Sequence, residues 1–213
     1  GDSVCRYDVD GSRDTSFGVD GRATTGSPYA SFKALTIQTD NKIVVVASGM
    51  VARFNSNGLL DSTFDDDGIA YVNFGQFYNS LNAVAVQPDG KIVAAGADGE
   101  VTGWPGRKFD SDSALVRLNA NGSLDNTFDG DGKLVVKLSN LSDQLTGIFV
   151  QEDGKIIATG TSLSDGNGDP FKTNDDIAII RINPGGSFDS SFGNHGKVVH
   201  DNFVNDRING AVV

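Results

Sequence analysis

"SLDNTFDGDG" (residues 123–132) sets three Asp, one Asn and two Gly around a single Phe. Alone it has the composition of an acidic ion-binding loop or of a tight chain reversal. Asp and Asn bond nearby backbone amides, and Gly accepts positive φ. The pattern recurs in "SRDTSFGVDG" (12–21), "LLDSTFDDDG" (59–68) and "SFDSSFGNHG" (187–196). Its Phe falls at Phe17, Phe64, Phe128 and Phe192, and the Asp three places earlier at Asp14, Asp61, Asp125 and Asp189. An upstream Arg keeps step at Arg6, Arg53, Arg117 and Arg181, and a downstream Gly at Gly21, Gly68, Gly132 and Gly196. The step is 47 residues between the first two copies and 64 thereafter. One spacing shared by four different positions marks an internal repeat, each copy being one supersecondary unit.

Each full unit reads as four strands. Strand A is "ALTIQ" (34–38), "AVAVQ" (83–87) or "GIFVQ" (147–151), and strand B is "KIVVVAS" (42–48), "KIVAAG" (91–96) or "KIIATG" (155–160). Between them stand "DN" (40–41) or "DG" (89–90, 153–154), which predict two-residue type I′ hairpins. Strand C carries the Arg in "VARFN" (51–55), "LVRLN" (115–119) and "IIRIN" (179–183). Strand D follows the Asp/Phe corner as "IAYVNF" (69–74), "KLVVKL" (133–138) and "KVVHDN" (197–202). Tandem four-stranded antiparallel units with runs apolar on both faces predict an all-β fold of blades, a β-propeller. The expected blades are 32–80, 81–144 and 145–206, with strands C and D of a partial blade in 1–31 and one further strand in 207–213. About three and a half blades are expected, either part of a larger ring or a protomer completed by copies of itself.

Composition agrees with a turn-rich β protein. The 213 residues include 27 Gly, and of 28 acidic residues only Glu100 and Glu152 are Glu. Asp favours turns and caps where Glu favours helices. The formal net charge of −11 argues against nucleic-acid binding, which needs a basic surface. Cys5 is the one cysteine, so no intrachain disulfide is available. No apolar run is long enough for a membrane helix, and no charged-then-apolar leader is seen. The Asn/Gly/Ser/Thr/Asp-rich surface suits an extracellular or cell-surface protein.

The words "DGKIVAAG" (89–96), "ALVRLNANGSLDNTF" (114–128) and "DGDGKLVV" (129–136) resemble the bacterial delta-60 repeat, a β-propeller-type repeat of large secreted or surface proteins. The resemblance covers nearly the whole chain, with departures only at "DNK" (40–42) and "GNHG" (193–196). It implies a repeat scaffold outside the cytoplasm and no particular activity.

Several residues are candidates for a role. The corner Asp of each copy is placed to cap the two following amides, and the Phe to anchor between blades. The Arg stands eight residues before that Asp, which predicts a bidentate ion pair in every unit. Asp65 and Asp67, like Asp129 and Asp131, stand two apart ahead of Gly, as calcium ligands do. No Glu follows at the position that an EF-hand loop requires, so calcium is the lesser expectation and no other cofactor is expected. His195 and His200 make no metal pair, and no catalytic motif is found. The long B–C connections, 97–113 and 161–176, read as loops, and Trp104, Arg107, Lys108 and Phe109 give the first an aromatic, basic tip. The expected function is a non-enzymatic extracellular scaffold or adhesion module contacting a protein or glycan. The alternative is a subunit that assembles through incomplete terminal blades, and a carbohydrate-active enzyme comes third.

Overall fold

A computed structural model describes residues 3–102, 108–164 and 174–200. Among them the regular elements are all strands. A two-stranded sheet pairs β1 (Ser3–Cys5) with β2 (Arg22–Thr24). Three antiparallel meanders follow: β3–β6 (Ala34–Ile37, Ile43–Ala47, Met50–Phe54, Ile69–Tyr71), β7–β10 (Tyr78–Val86, Ile92–Thr102, Lys108–Leu118, Lys133–Val136) and β11–β14 (Asp143–Val150, Ile156–Ser164, Asn174–Ile182, Lys197–His200). These are the blades of a partial β-propeller, as the repeat predicts. β7 and β11 begin at Tyr78 and Asp143, ahead of the expected boundaries at 81 and 145.

The core lies between blades. Every residue of β4 is buried, and alternate side chains serve different neighbours. Val45 and Ala47 pack with Phe17 and Ala23 of the first sheet. Val44 and Val46 pack with Leu81, Ile92, Val116 and Leu118 of the next. The β7–β10 sheet repeats the arrangement through Val93, Leu115 and Phe128 against Leu145, Ile156 and Ile180. Blades stacked face to face cover both faces of the middle strands, which is why "IVVVA" lacks polar alternation. Each such side chain contributes roughly 1.5–3 kcal/mol on burial. The A strands touch in succession, β3 with β7 and β7 with β11, which makes them the innermost strands.

The A–B turns differ from the type I′ expectation. Only Asn41, Gly90 and Gly154 have positive φ there, not the preceding Asp. Asn41 N donates to Gln38 O at 2.9 Å and Gln38 N to Lys42 O at 2.8 Å, a turn closed by a bulge. Asp40 Oδ1 accepts from Lys42 N, and Asp89 and Asp153 do the same for Lys91 and Lys155. Asp can cap the turn in this form without entering the left-handed region.

The B–C loops are also corrected. β8 and β9 stay paired out to Thr102 opposite Lys108, and β12 and β13 to Ser164 opposite Asn174. Among the described residues, 97–102 with 108–113 and 161–164 with 174–176 are therefore paired strand, whereas β4 and β5 turn directly after Ala47 opposite Met50. Asp, Ser and Gly are depleted from strands in general, so these segments read as loops. The lengthened A strands support them: Tyr78–Leu81 pair with Gly99–Gly96 beyond a bulge.

Neighbouring blades also meet backbone to backbone. Gly18 N, Asp65 N and Asp129 N donate to Asn57 O, Asn121 O and Gly185 O at 2.7, 2.7 and 3.0 Å. Gly122 sits at this seam with φ +94°, and a Cβ on it would lie 2.7 Å from Asp65 N. Gly130 has similar φ, +88°, in open space. Gly130→Ala is expected to destabilise the chain by about 1–2 kcal/mol, the strain of the left-handed backbone alone, and Gly122→Ala by clearly more, compared as denaturation midpoints.

Candidate functional site

The corner is built around one guanidinium. Arg117 Nε donates to Asp125 Oδ2 at 2.6 Å, Nη2 to Thr127 Oγ1 at 3.1 Å, and Nη1 to Pro184 O of the next blade. Arg53 makes the same set with Asp61, Thr63 and Ala120 O. Arg6 reaches Asp14 and Ser56 O, and Arg181 reaches Asp189 and Ser191. In all four copies the guanidinium carbon lies 4.6–4.8 Å from the ring centre of Phe17, Phe64, Phe128 or Phe192, a cation–π contact. The pair is therefore made through Nε alone rather than the expected two-pronged contact. Oδ1 of Asp125 is occupied by Thr127 N and Oγ1, and Nη1 is drawn to the neighbouring blade.

A second cation joins from the start of strand B: Lys42, Lys91 and Lys155 lie 3.0, 3.0 and 3.5 Å from Asp61, Asp125 and Asp189. Burial alone would raise the Asp61 and Asp125 carboxyls. Bonds from Thr63 and Thr127, and from Lys42 and Lys91, outweigh it and hold both far below the usual carboxylate range. Asp189 is lowered to about 2, first by Ser191. These residues are fixed charges of a structural joint.

The trailing acids close turns. Asp67 Oδ1 accepts from Ile69 N and Asp131 Oδ1 from Lys133 N, while Asp65 and Asp129 adopt positive φ and make the seam bonds. Among the described residues no three His, Cys, Asp or Glu side chains are grouped to hold a metal ion. Trp104 and Arg107 lie outside the described residues. Lys108 and Phe109 belong to β9, paired with Thr102 and Val101.

The projecting β8–β9 hairpin carries a feature that the sequence reading missed. Asp98 pairs with Asp112 and Glu100 with Asp110, so four carboxylates share one face. With Phe74, Gln76 and Lys137 they line a recess of about 330 Å³. Burial, then the charges of Asp112 and Glu100, raises the Asp98 carboxyl despite a bond from Gln76 N. Burial also raises Asp112, with Lys137 opposing. The period-two acids of "DGE" and "DSD" were the available signal.

A family described as "Domain of unknown function (DUF5122) beta-propeller" matches residues 38–64, 87–128 and 151–192. The chain belongs to that DUF5122 β-propeller family. Each matched segment of this DUF5122 chain opens on Gln38, Gln87 or Gln151 and closes on the corner Phe. No curated protein matches the chain. A solved structure of a protein of unknown function from Bacteroides caccae is similar at 9% identity and TM-score 0.54, over 94% of this chain and 55% of that one. The likeness shows the fold, and the chain spans about half the length of that structure.

The linkage signs follow from these environments. Asp61, Asp125 and Asp189 have depressed folded pKa values, so their stabilisation is present above the unfolded value near 3.9 and is lost as pH falls through the folded values. Asp98 and Asp112 act in the opposite sense, their contribution being lost as pH rises through their raised values. The melting temperature is expected to drop steeply below about pH 4. Asp125→Asn is expected to cost about 3–5 kcal/mol at neutral pH, as removal of one partner of a buried pair does, and to make that acid limb shallower in pH-resolved thermal melts.

Proposed function

We propose that the chain is a non-catalytic interaction scaffold of an extracellular or cell-surface protein, built from units of the delta-60 type. The observation that carries this reading is the contrast between the two ends of the blades. At the C–D end, the recurrent Arg, Asp and Lys side chains are engaged with one another and with the next blade. At the B–C end, two hairpins project, and one holds like charges directly opposite each other. Such pairs destabilise a sheet, which points to a role in recognition. The acidic hairpin face suits a partner with a basic surface, through contacts that weaken with salt. A second reading, assembly with further copies, is favoured by Leu35 and Ile37 on the innermost strand β3, which are 51% and 62% exposed.

The test replaces residues 98–112 with the short Ser-Gly turn that follows β4. The variant is expected to stay folded while losing salt-sensitive binding to immobilised basic proteins and cell surfaces. Equal binding by the variant would reject the hairpin face. Turnover of chromogenic glycosides, abolished by Asp98→Asn, would replace the non-catalytic reading with an enzymatic one. Light scattering across a concentration series separates assembly, which requires a mass that rises with concentration, from a monomer.

A further inference from the structure

Every seam between blades is made from the same two halves. The donor half is the corner, with the Arg Nη1 and the backbone N–H that follows the Phe. Arg6, Arg53 and Arg117 give Nη1 to Ser56 O, Ala120 O and Pro184 O. Gly18, Asp65 and Asp129 give their N–H to the carbonyl one residue further on, that of Asn57, Asn121 or Gly185. The acceptor half is thus the turn after strand C of the following blade. Its glycine, at Gly58, Gly122 or Gly186, has φ between +84° and +96°.

The described residues hold one further copy of each half, and neither has its counterpart. At the last blade, Arg181 binds Asp189 and Ser191, but its Nη1 meets no acceptor among the described residues. Gly193 N meets none either, although its φ of +52° is the conformation of Gly18, Asp65 and Asp129. At the first sheet, the turn after β1 has the acceptor form. Asp8 N donates to Ser12 O and Gly11 N to Asp8 O, as Asn55 N does to Leu59 O and Gly58 N to Asn55 O. Gly11 and Gly58 share a φ of +84°. Among the described residues no donor meets Val9 O or Asp10 O, and both residues are exposed.

The apolar side chains divide in the same way. Val44, Val51 and Phe64 are fully buried under the next blade, as are Val93, Leu115 and Phe128. Their counterparts on the last blade, Ile157, Ile179 and Phe192, are partly exposed. Phe54, Leu118 and Ile182 are buried against the preceding blade, whereas Tyr7, at the same register of the first sheet, is 58% exposed. The Arg181 side chain is 21% exposed, against 6% and 5% for Arg53 and Arg117, so the unfilled corner is open to a partner. Water satisfies exposed donors and carbonyls, so apolar burial would drive association and the hydrogen bonds would fix its register.

The two free halves stand at opposite ends of the array. The first sheet packs on β3–β6, that blade on β7–β10, and that in turn on β11–β14. A second copy brings them together. We infer that the chain associates head to tail, the last blade of one copy taking the first sheet of another through the seam that joins its own blades. Arg181 Nη1 and Gly193 N then donate to the carbonyls of Val9 and Asp10, and Ile157, Ile179 and Phe192 are covered. The inference rests on the assembly reading above and assigns it to a surface other than Leu35 and Ile37. Because the two patches are unlike, the contact is heterologous and builds a ring or a filament.

Size-exclusion chromatography with light scattering tests this on the full chain, with Tyr7→Asp to disrupt the first sheet's face and Ile179→Asp to disrupt the last blade's. The wild type is expected to reach the mass of two copies or more, and each variant alone to be a monomer. Mixed, the two variants are expected to form a complex of one copy each, because each keeps the end that the other has lost. Amide hydrogen exchange at Gly193 of the wild type should slow by about tenfold or more as concentration rises. If one variant fails to fold, the other decides together with the Gly193 exchange. The inference is overturned if the wild type stays a monomer, if a folded variant assembles as the wild type does, if two folded variants do not combine, or if Gly193 exchange does not slow. Assembly that is abolished by Leu35→Asp but kept by both end variants would overturn the seam and leave the assembly reading standing.

Discussion

A guanidinium caught between two blades is the contact on which the rest of this structure depends. Arg117 binds the carboxylate of its own corner through Nε, a carbonyl of the next blade through Nη1, and the face of Phe128 through its plane. Asp125 is saturated in turn by Thr127 and Lys91, so the Arg has one orientation open to it. A buried pair of this kind adds little over an apolar packing of equal volume, yet losing either member is severe. Arg117 and Asp125 are only 4% and 3% exposed. The seam between blades is therefore complete or badly broken, with little between.

Each corner is finished by its neighbour, and burial records this. The Arg53 and Arg117 corners are buried, whereas Arg181 and Phe192 are only half-buried. Stability in such an array is carried by nearest-neighbour contacts rather than by one central core. The three apolar clusters show the same rule, each drawing side chains from two adjacent sheets. Burying β4 on both faces requires a blade on either side of it.

Charge is divided between the ends of the blades in a way that net charge hides. The corner acids are neutralised by Arg and Lys and sit far below their usual pKa range. Asp98 and Asp112 face each other across the β8–β9 hairpin with raised pKa values. One end of the molecule thus neutralises its carboxylates with Arg and Lys, and the other sets them against one another.

The repeat, the all-β class and the four-strand unit were legible in the chain because Arg, Asp, Phe and Gly recur at one spacing. Local turn chemistry, such as Asp125 capping Thr127, was legible for the same reason: both partners lie within two residues. The extent of the β8–β9 and β12–β13 hairpins was not, because Asp, Ser and Gly in a strand are tolerated only when a paired neighbour holds them. Nor was the one-pronged Arg contact, since the carbonyl that claims Nη1 of Arg117 belongs to Pro184, 67 residues away. Sequence by itself determined what is repeated and how the chain turns, because those forces act between near neighbours. Only the tertiary structure decided what meets across the seam, because those contacts exist only once separate units are stacked.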